Sequence, residues 1–209
     1  FISNLIMQKL ILKNYHFLSG PSFADEVLYG KPTALSLSSN KINKNIGNIF
    51  KDTNIRIYYS EGYKTLEFLG ILKNIYAIGA GVIDATSLGQ NARAAYITRC
   101  IVEIKSILKS LKLNTNMIYS LGGIGDLILS CSSNKSRNYN FGFCFEKKSK
   151  YKTLKPKTIE GINSCLNIKN NKKINIIKFP IINSIIKIIN GSPSKKEIKI
   201  LLNRKFKNE

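Results

Sequence analysis

Apolar residues change their spacing near residue 60, and the change divides the chain. Before it, short apolar runs of strand length, Thr33–Leu37 and Ile55–Tyr59, flank a polar segment with a helix-like pattern at Ile42–Phe50. After it, apolar positions recur at helical spacing in longer blocks, roughly 65–85, 91–112, 124–133, 159–167, 180–190 and 194–205. Breakers expected at the ends of these helices are Gly89, Gly161, Pro180 and the Gly191-Ser192-Pro193 turn. The pattern predicts an α/β segment followed by an all-α one, with the tail of an α/β domain in residues 1–60 and a multi-helix domain in 61–209. The stretch 143–157 is rich in lysine, has no periodicity and reads as a surface loop. No internal repeat is visible.

Composition sharpens this picture in two places. With 209 residues and 44% hydrophobic side chains, the chain can bury a real core, so a disordered tail is excluded. The formal net charge of +21 invites a polyanionic partner, because clustered lysine and arginine release counterions from phosphates. The basic residues thicken in Lys147–Lys157, Lys169–Lys178 and Lys195–Lys207, mixed throughout with Asn and Ile. These runs lack the interleaved aromatics of a single-strand platform, so a coding bias toward Lys, Asn and Ile is favoured and no specific nucleic acid is expected.

Cysteines stand at 100, 131, 144 and 165 without a Cys-x-x-Cys pair, and His16 is the sole histidine, so neither a metal site nor a disulfide framework is suggested. Free thiols fit a cytoplasmic location. The apolar stretch 70–85 is interrupted by Lys73, Asn74 and Asp84, and 176–189 by Lys178, Pro180, Asn183 and Lys187, so no membrane span is expected. The N-terminus shows no leader pattern, and a first residue Phe1 in place of Met is compatible with a natural start further upstream.

Candidate chemistry begins at Lys73, whose neighbours Leu69, Leu72, Ile75, Tyr76 and Ile78 make its helix apolar on nearly every side. Burial favours the neutral form of an ammonium and would let it exchange protons near neutral pH; the alternative is a lysine that snorkels to solvent. Gly122-Gly123-Ile124-Gly125-Asp126 is a glycine-rich turn feeding a helix, without the preceding strand that a dinucleotide fingerprint requires. Asp126 either complements that helix start, holds Lys73 in place, or accepts a bond from a bound hydroxyl. Ser136 has N-cap character, and with Arg137 and Asn138 it could cradle a phosphate; the alternative is an ordinary cap beside a surface arginine. Arg93 and Arg99 fall on different faces of the 91–112 helix, and Glu103, four residues after Arg99, is an expected structural partner for at least one of them. His16 lies in a polar patch with no nearby catalytic partners.

These words occur in an order that resembles the bacterial type of NAD(P)-dependent glycerol-3-phosphate dehydrogenase. They are Leu18-Ser19-Gly20-Pro21-Ser22-Phe23-Ala24-Asp25-Glu26, Gly30-Lys31-Pro32-Thr33-Ala34, Glu67 to Asn74, Gly89 to Arg99, Gly123 to Leu127, Ser136-Arg137-Asn138, Thr158-Ile159-Glu160-Gly161 and Phe179-Pro180-Ile181. The resemblance covers the C-terminal portion of that family, lacking its N-terminal Gly-x-Gly-x-x-Gly half, and implies that residues 1–60 end a Rossmann-like NAD(P)-binding domain. It further implies interconversion of dihydroxyacetone phosphate and sn-glycerol 3-phosphate for phospholipid synthesis, with NAD or NADP as cofactor.

By the same resemblance Lys73 is the catalytic proton donor and acceptor. Gly20, Ser22, Lys73, Asp126, Ser136, Arg137 and Asn138 would bind substrate, and Ala24, Arg137 and Glu160 would lie against the cofactor. Ile71, Ala85 and Cys100 depart from the family's smaller residues. A homodimer is left open, and the rival readings are a non-catalytic remnant serving as a dimerisation domain and a basic polyanion-binding module.

Overall fold

The computed structural model describes residues 8–9, 15–39, 41–147, 159–171 and 173–203. A three-stranded sheet comes first, in the order β1 (His16–Ser19), β2 (Thr33–Ser39), β3 (Ile55–Glu61). β1 runs antiparallel to β2, pairing His16 with Ser39 and Ser19 with Ser36, while β3 runs parallel to β2 from Thr33↔Ile55 to Ser39↔Glu61. The two predicted strands are present. β1 has only four residues, and α1 (Ala24–Leu28) only five, and neither carries a periodicity that a sequence window can detect. The pattern at 42–50 is a 3₁₀ helix, Lys44–Phe50, capped by the Asn43 side chain accepting from the Asn45 N–H at 3.0 Å. His16 Nε2 accepts from the Asn43 N–H at 3.4 Å and so ties this helix to β1.

From Gly62 onward the described chain is helical: α2 (Tyr63–Ala85), α3 (Gly89–Ser110), a 3₁₀ turn (Thr115–Tyr119), a π turn (Leu121–Gly125), α4 (Asp126–Ser132), α5 (Arg137–Glu146), α6 (Glu160–Lys169), a 3₁₀ turn (Ile176–Lys178), α7 (Pro180–Ile189) and α8 (Ser194–Leu202). α2 is the axle of the bundle. Leu66, Leu72, Ile75, Tyr76 and Ala77 are fully buried, and α3, α4, α5, α6 and α7 all pack against it. Burial of each large side chain contributes about 1.5–3 kcal/mol, which is why a helix with three polar interruptions still centres the core. By length and composition α2 could cross a bilayer, contrary to the sequence expectation, but 72% of its apolar window is buried within this fold, the setting of a core helix.

Two further expectations change. The stretch assigned to a loop from 143 is helical as far as Glu146, because Gly142 lets α5 lie directly on α2: a Cβ there would stand 2.0 Å from the Ile78 carbonyl oxygen. Residues 148–157 of that expected loop lie outside the described residues. Gly161 and Pro180 occupy the first turns of α6 and α7 rather than closing the helices before them, whereas Gly191 does follow a helix end, with φ +99°. Ala85 and Cys100 are buried in the bundle and Ile71 packs half-buried against it.

The carboxylate of Glu103, itself buried, accepts from the Ile181 N–H at 2.8 Å, the Ile182 N–H at 2.9 Å and Tyr76 Oη at 3.2 Å. It therefore satisfies donors in the first turn of α7 that no side chain of α7 caps. Arg93 donates to Asp84 Oδ2 at 2.8 Å, and Tyr139 Oη donates to the same oxygen at 2.6 Å, so α3 and α5 meet at the end of α2.

Candidate active site

Lys73 and Asn74 are neighbours on α2, and each anchors a separate polar cluster. The Lys73 ammonium donates to Asp126 Oδ2 at 2.6 Å, with the two side chains 26% and 4% exposed. The π turn delivers Asp126 to the first residue of α4, where the helix dipole favours a carboxylate. One turn further on, Ser130 Oγ donates to Asp126 Oδ1 at 3.4 Å. Burial pushes the Asp126 carboxyl above the usual aspartate range, against the opposing pull of the Lys73 ammonium and the Ser130 hydroxyl. Lys73 is thus partly buried and paired, and Asp126 is its partner.

The second cluster joins α2, α5 and α6. Asn138 Nδ2 donates to Asn74 Oδ1 at 2.9 Å, Asn74 Nδ2 donates to Glu160 Oε2 at 3.0 Å, and the Gly161 N–H donates to Asn138 Oδ1 at 2.9 Å. Arg137 Nη2 reaches Glu160 Oε1 at 3.3 Å, with the side chains 60% and 62% exposed. A pair so open to water is held weakly. Ser136 caps α5, its Oγ accepting from the Tyr139 N–H at 3.3 Å. Asn138 is therefore fixed on both ends of its amide while Arg137, one residue earlier, faces solvent.

The turn after β1 closes the arrangement. Gly20 is buried behind Ala34 and Leu35, Ser22 Oγ donates back to the Gly20 carbonyl at 3.2 Å, and Pro21 lies against Gly125, directly before Asp126. Ala24 is exposed at the start of α1. Lys135 Nζ donates to Asp25 Oδ2 at 2.8 Å and Glu26 Oε1 at 2.7 Å and stands 5.6 Å from the centre of the Phe23 ring. Its hydrogen bond lowers the Asp25 carboxyl from the usual range, and the two carboxylates raise the Lys135 ammonium, Asp25 first. This contact binds the strip carrying Gly20, Ser22 and Ala24 to the loop that leads into Ser136.

The residues that the resemblance assigns to substrate and cofactor lie in these two clusters or in the strip fastened beside them, whereas Arg93 pairs with Asp84 and His16 with Asn43 elsewhere in the fold. Asn74, Ser130 and Lys135 were not singled out. Ser130 was accessible from spacing, since it lies one helical turn after Asp126 on the same face. Asn74 carried a weaker signal, a second polar residue beside Lys73 in an apolar run. Among the described residues no group of three His, Cys, Asp or Glu side chains could hold a metal ion. Chemically, a half-buried ammonium backed by a carboxylate can give a proton to a developing oxyanion, while a solvent-facing guanidinium beside a helix start can grip a phosphate.

The solved structures with this architecture define the class first: the helical part, with its adjoining sheet, of a dehydrogenase. Glycerol-3-phosphate dehydrogenase from Coxiella burnetii superposes with a TM-score of 0.86 at 29% identity, over 97% of this chain and 64% of that one. The enzyme from Saccharomyces cerevisiae shares the fold at a TM-score of 0.81 and 19% identity, over 96% of this chain and 62% of the other. The profile of the NAD-dependent glycerol-3-phosphate dehydrogenase C-terminus matches residues 63–199, and the chain belongs to that family. Glycerol-3-phosphate dehydrogenase [NAD(P)+] of Staphylococcus haemolyticus is 34% identical over 201 residues, which are 92% of this chain and 60% of that protein. The Campylobacter jejuni relative is 32% identical over 207 residues, 97% of this chain and 69% of its own length. The chain thus spans about three-fifths of the first of these relatives.

Proposed function

We propose that this chain supplies the substrate-side portion of an NAD(P)-dependent glycerol-3-phosphate dehydrogenase that interconverts dihydroxyacetone phosphate and sn-glycerol 3-phosphate for phospholipid synthesis in the cytoplasm. The observation that carries the reading is the 2.6 Å pair between Lys73 and the buried Asp126, set beside the Asn74–Asn138–Glu160 network. Residues 1–60 are assigned to the end of a Rossmann-like NAD(P)-binding domain and 61–209 to the helical catalytic domain. Two copies of the whole protein are proposed to pair as a homodimer.

In this reading Lys73 donates its proton to the carbonyl oxygen as reduction makes it an alkoxide, and takes it back in the reverse direction. Asp126 holds the ammonium in place and keeps its charge tolerable in an apolar helix. Arg137, with Ser136 and Asn138 at the start of α5, grips the phosphate, and Gly20 and Ser22 border the substrate. Ala24, Arg137 and Glu160, all solvent-facing, form the rim available to a nicotinamide dinucleotide, which supplies or accepts the hydride when bound. That rim fits one side of such a cofactor. A glycine turn between a parallel strand and a helix, the usual seat of its pyrophosphate, is absent from the α/β part of the described residues.

The test is a kinetic comparison in a protein that joins this chain to a dinucleotide-binding half. Substrate-dependent oxidation of NADH or NADPH is expected with dihydroxyacetone phosphate. Arg137→Lys should raise KM for that substrate more than for dihydroxyacetone, because a point charge cannot replace a two-pronged grip. Absence of any dihydroxyacetone phosphate-dependent oxidation would overturn the proposed activity, and equal effects on the two substrates would remove Arg137 from the phosphate-holding role.

A further inference from the structure

A cavity of about 700 Å³ lies away from the candidate active site, at the carboxyl ends of the parallel strands β2 and β3. Its wall includes Ser39, Lys41, Glu61, Gly62, Lys64 and Lys112. Carboxyl ends of parallel strands are where open α/β sheets receive ligands, and the start of a long helix adds backbone N–H groups and a positive dipole end. Both features are present. α2 begins at this wall, and Gly62, at φ +101°, gives its first turn no side-chain cap. Tyr63, the first residue of α2, stands about 15 Å along the helix from Lys73, so the two places are separate.

The cavity has a second mark of a ligand site. Ser39 is 5% exposed, and its hydroxyl finds no hydrogen-bond partner among the described residues. Buried hydroxyls are ordinarily paired, so one left over in a cavity wall is a group whose partner comes from elsewhere. Charge selects that partner: three lysines, Lys41, Lys64 and Lys112, line the wall with one glutamate, Glu61, beside the helix start. Lys112 is also an unusual choice for its place. It follows α3 in the left-handed backbone region, φ +56°, where glycine is the ordinary residue, and it adds its charge to this wall.

We propose that this cavity binds a small phosphate monoester, with the phosphate against the amides of Tyr63 and Lys64 and among Lys41, Lys64 and Lys112. The volume exceeds what a bare phosphate fills and suits a phosphate carrying a small organic group.

The experiment titrates the full 209-residue chain, isotopically labelled, with inorganic phosphate and separately with phenyl phosphate, chloride holding the ionic strength constant. Amide resonances of Tyr63, Lys64 and Asn138 are followed. The Tyr63 and Lys64 resonances are expected to shift with saturation at millimolar ligand or below, phenyl phosphate binding at least threefold more tightly. Lys112→Gly, which keeps the backbone region and removes the charge from an exposed side chain, should weaken binding at least tenfold. Ser39→Ala should weaken it at least threefold, and Lys187→Ala on exposed α7 surface should leave it unchanged. Shifts that grow without saturating, that appear at Asn138 alone, or that persist undiminished in Lys112→Gly would overturn the proposal. Saturation by inorganic phosphate with no gain for phenyl phosphate would overturn the monoester assignment.

Discussion

Replacing Lys73 by methionine separates the ion pair that its ammonium makes from the proton transfer proposed for it. The substitution keeps side-chain length and removes the cation bonded to Asp126, whose side chain is 4% exposed. Breaking a buried ion pair by removing one partner costs about 3–5 kcal/mol. Lys73 is itself 26% exposed, so water replaces part of the lost interaction, and about 2 kcal/mol is expected. For a chain of this size that lowers Tm by about 4–8 °C. Turnover, measured as dihydroxyacetone phosphate-dependent oxidation of NADPH in an assembly that supports it, should fall by about 10²–10⁴-fold if Lys73 transfers the proton. The double variant Lys73→Met/Asp126→Asn should recover about 1 kcal/mol of the stability, since the stranded charge is gone, and none of the activity. Strict additivity of the two substitutions in urea melts would refute the energetic coupling of the pair. Retention of more than about a tenth of wild-type kcat, a barrier change of only ~1.4 kcal/mol, would refute the proton-transfer role.

Two further outcomes follow from the same geometry. Because burial makes the folded chain hold the Asp126 proton more tightly than the unfolded chain does, this group favours the folded state at low pH and loses that contribution as pH rises through the shifted value. Wild type should therefore lose more stability than Asp126→Asn between about pH 4 and pH 7 in urea melts, and identical slopes would contradict the raised carboxyl. Gly142→Ala would place a Cβ 2.0 Å from the Ile78 carbonyl oxygen and should destabilise the fold by about 2–3 kcal/mol; a cost under ~0.5 kcal/mol would contradict the backbone contact of α2 with α5.

What sequence could and could not disclose follows from how far apart the interacting groups lie. The 63–85 helix was legible because buried side chains recur along it at helical spacing, and Pro180 with its isoleucines marked α7 in the same way. β1 was hidden by its length. α5 was hidden because its phenylalanines, Phe141, Phe143 and Phe145, recur at every second position, a strand-like spacing, and run toward a lysine-rich segment. Within the site, Ser136 signalled its cap locally, whereas Asn74 meets Asn138 across 64 positions and Glu160 across 86. No local pattern encodes such a meeting. The expected partnership of Glu103 with arginine likewise gave no hint that this carboxylate would reach the backbone of Ile181 and Ile182, which lie in a different helix.

The contrast between the two clusters of the site sets a tempo as well as a geometry. Asp126 and Lys73 are locked together before any ligand arrives, so the proton-handling end has little rearranging to do. Arg137 starts from a loose, water-washed contact with Glu160 at 3.3 Å, and seizing an anion means giving up that contact and freezing a long side chain that was free to swing. Immobilising such a side chain costs about 2 kcal/mol, which an anion contact must overcome and which is returned when the anion leaves. If Arg137 holds the phosphate as proposed, a ligand gripped this way is taken late and let go early, so a phosphate-bearing product would leave quickly and changes at Glu160 would register first in residence time.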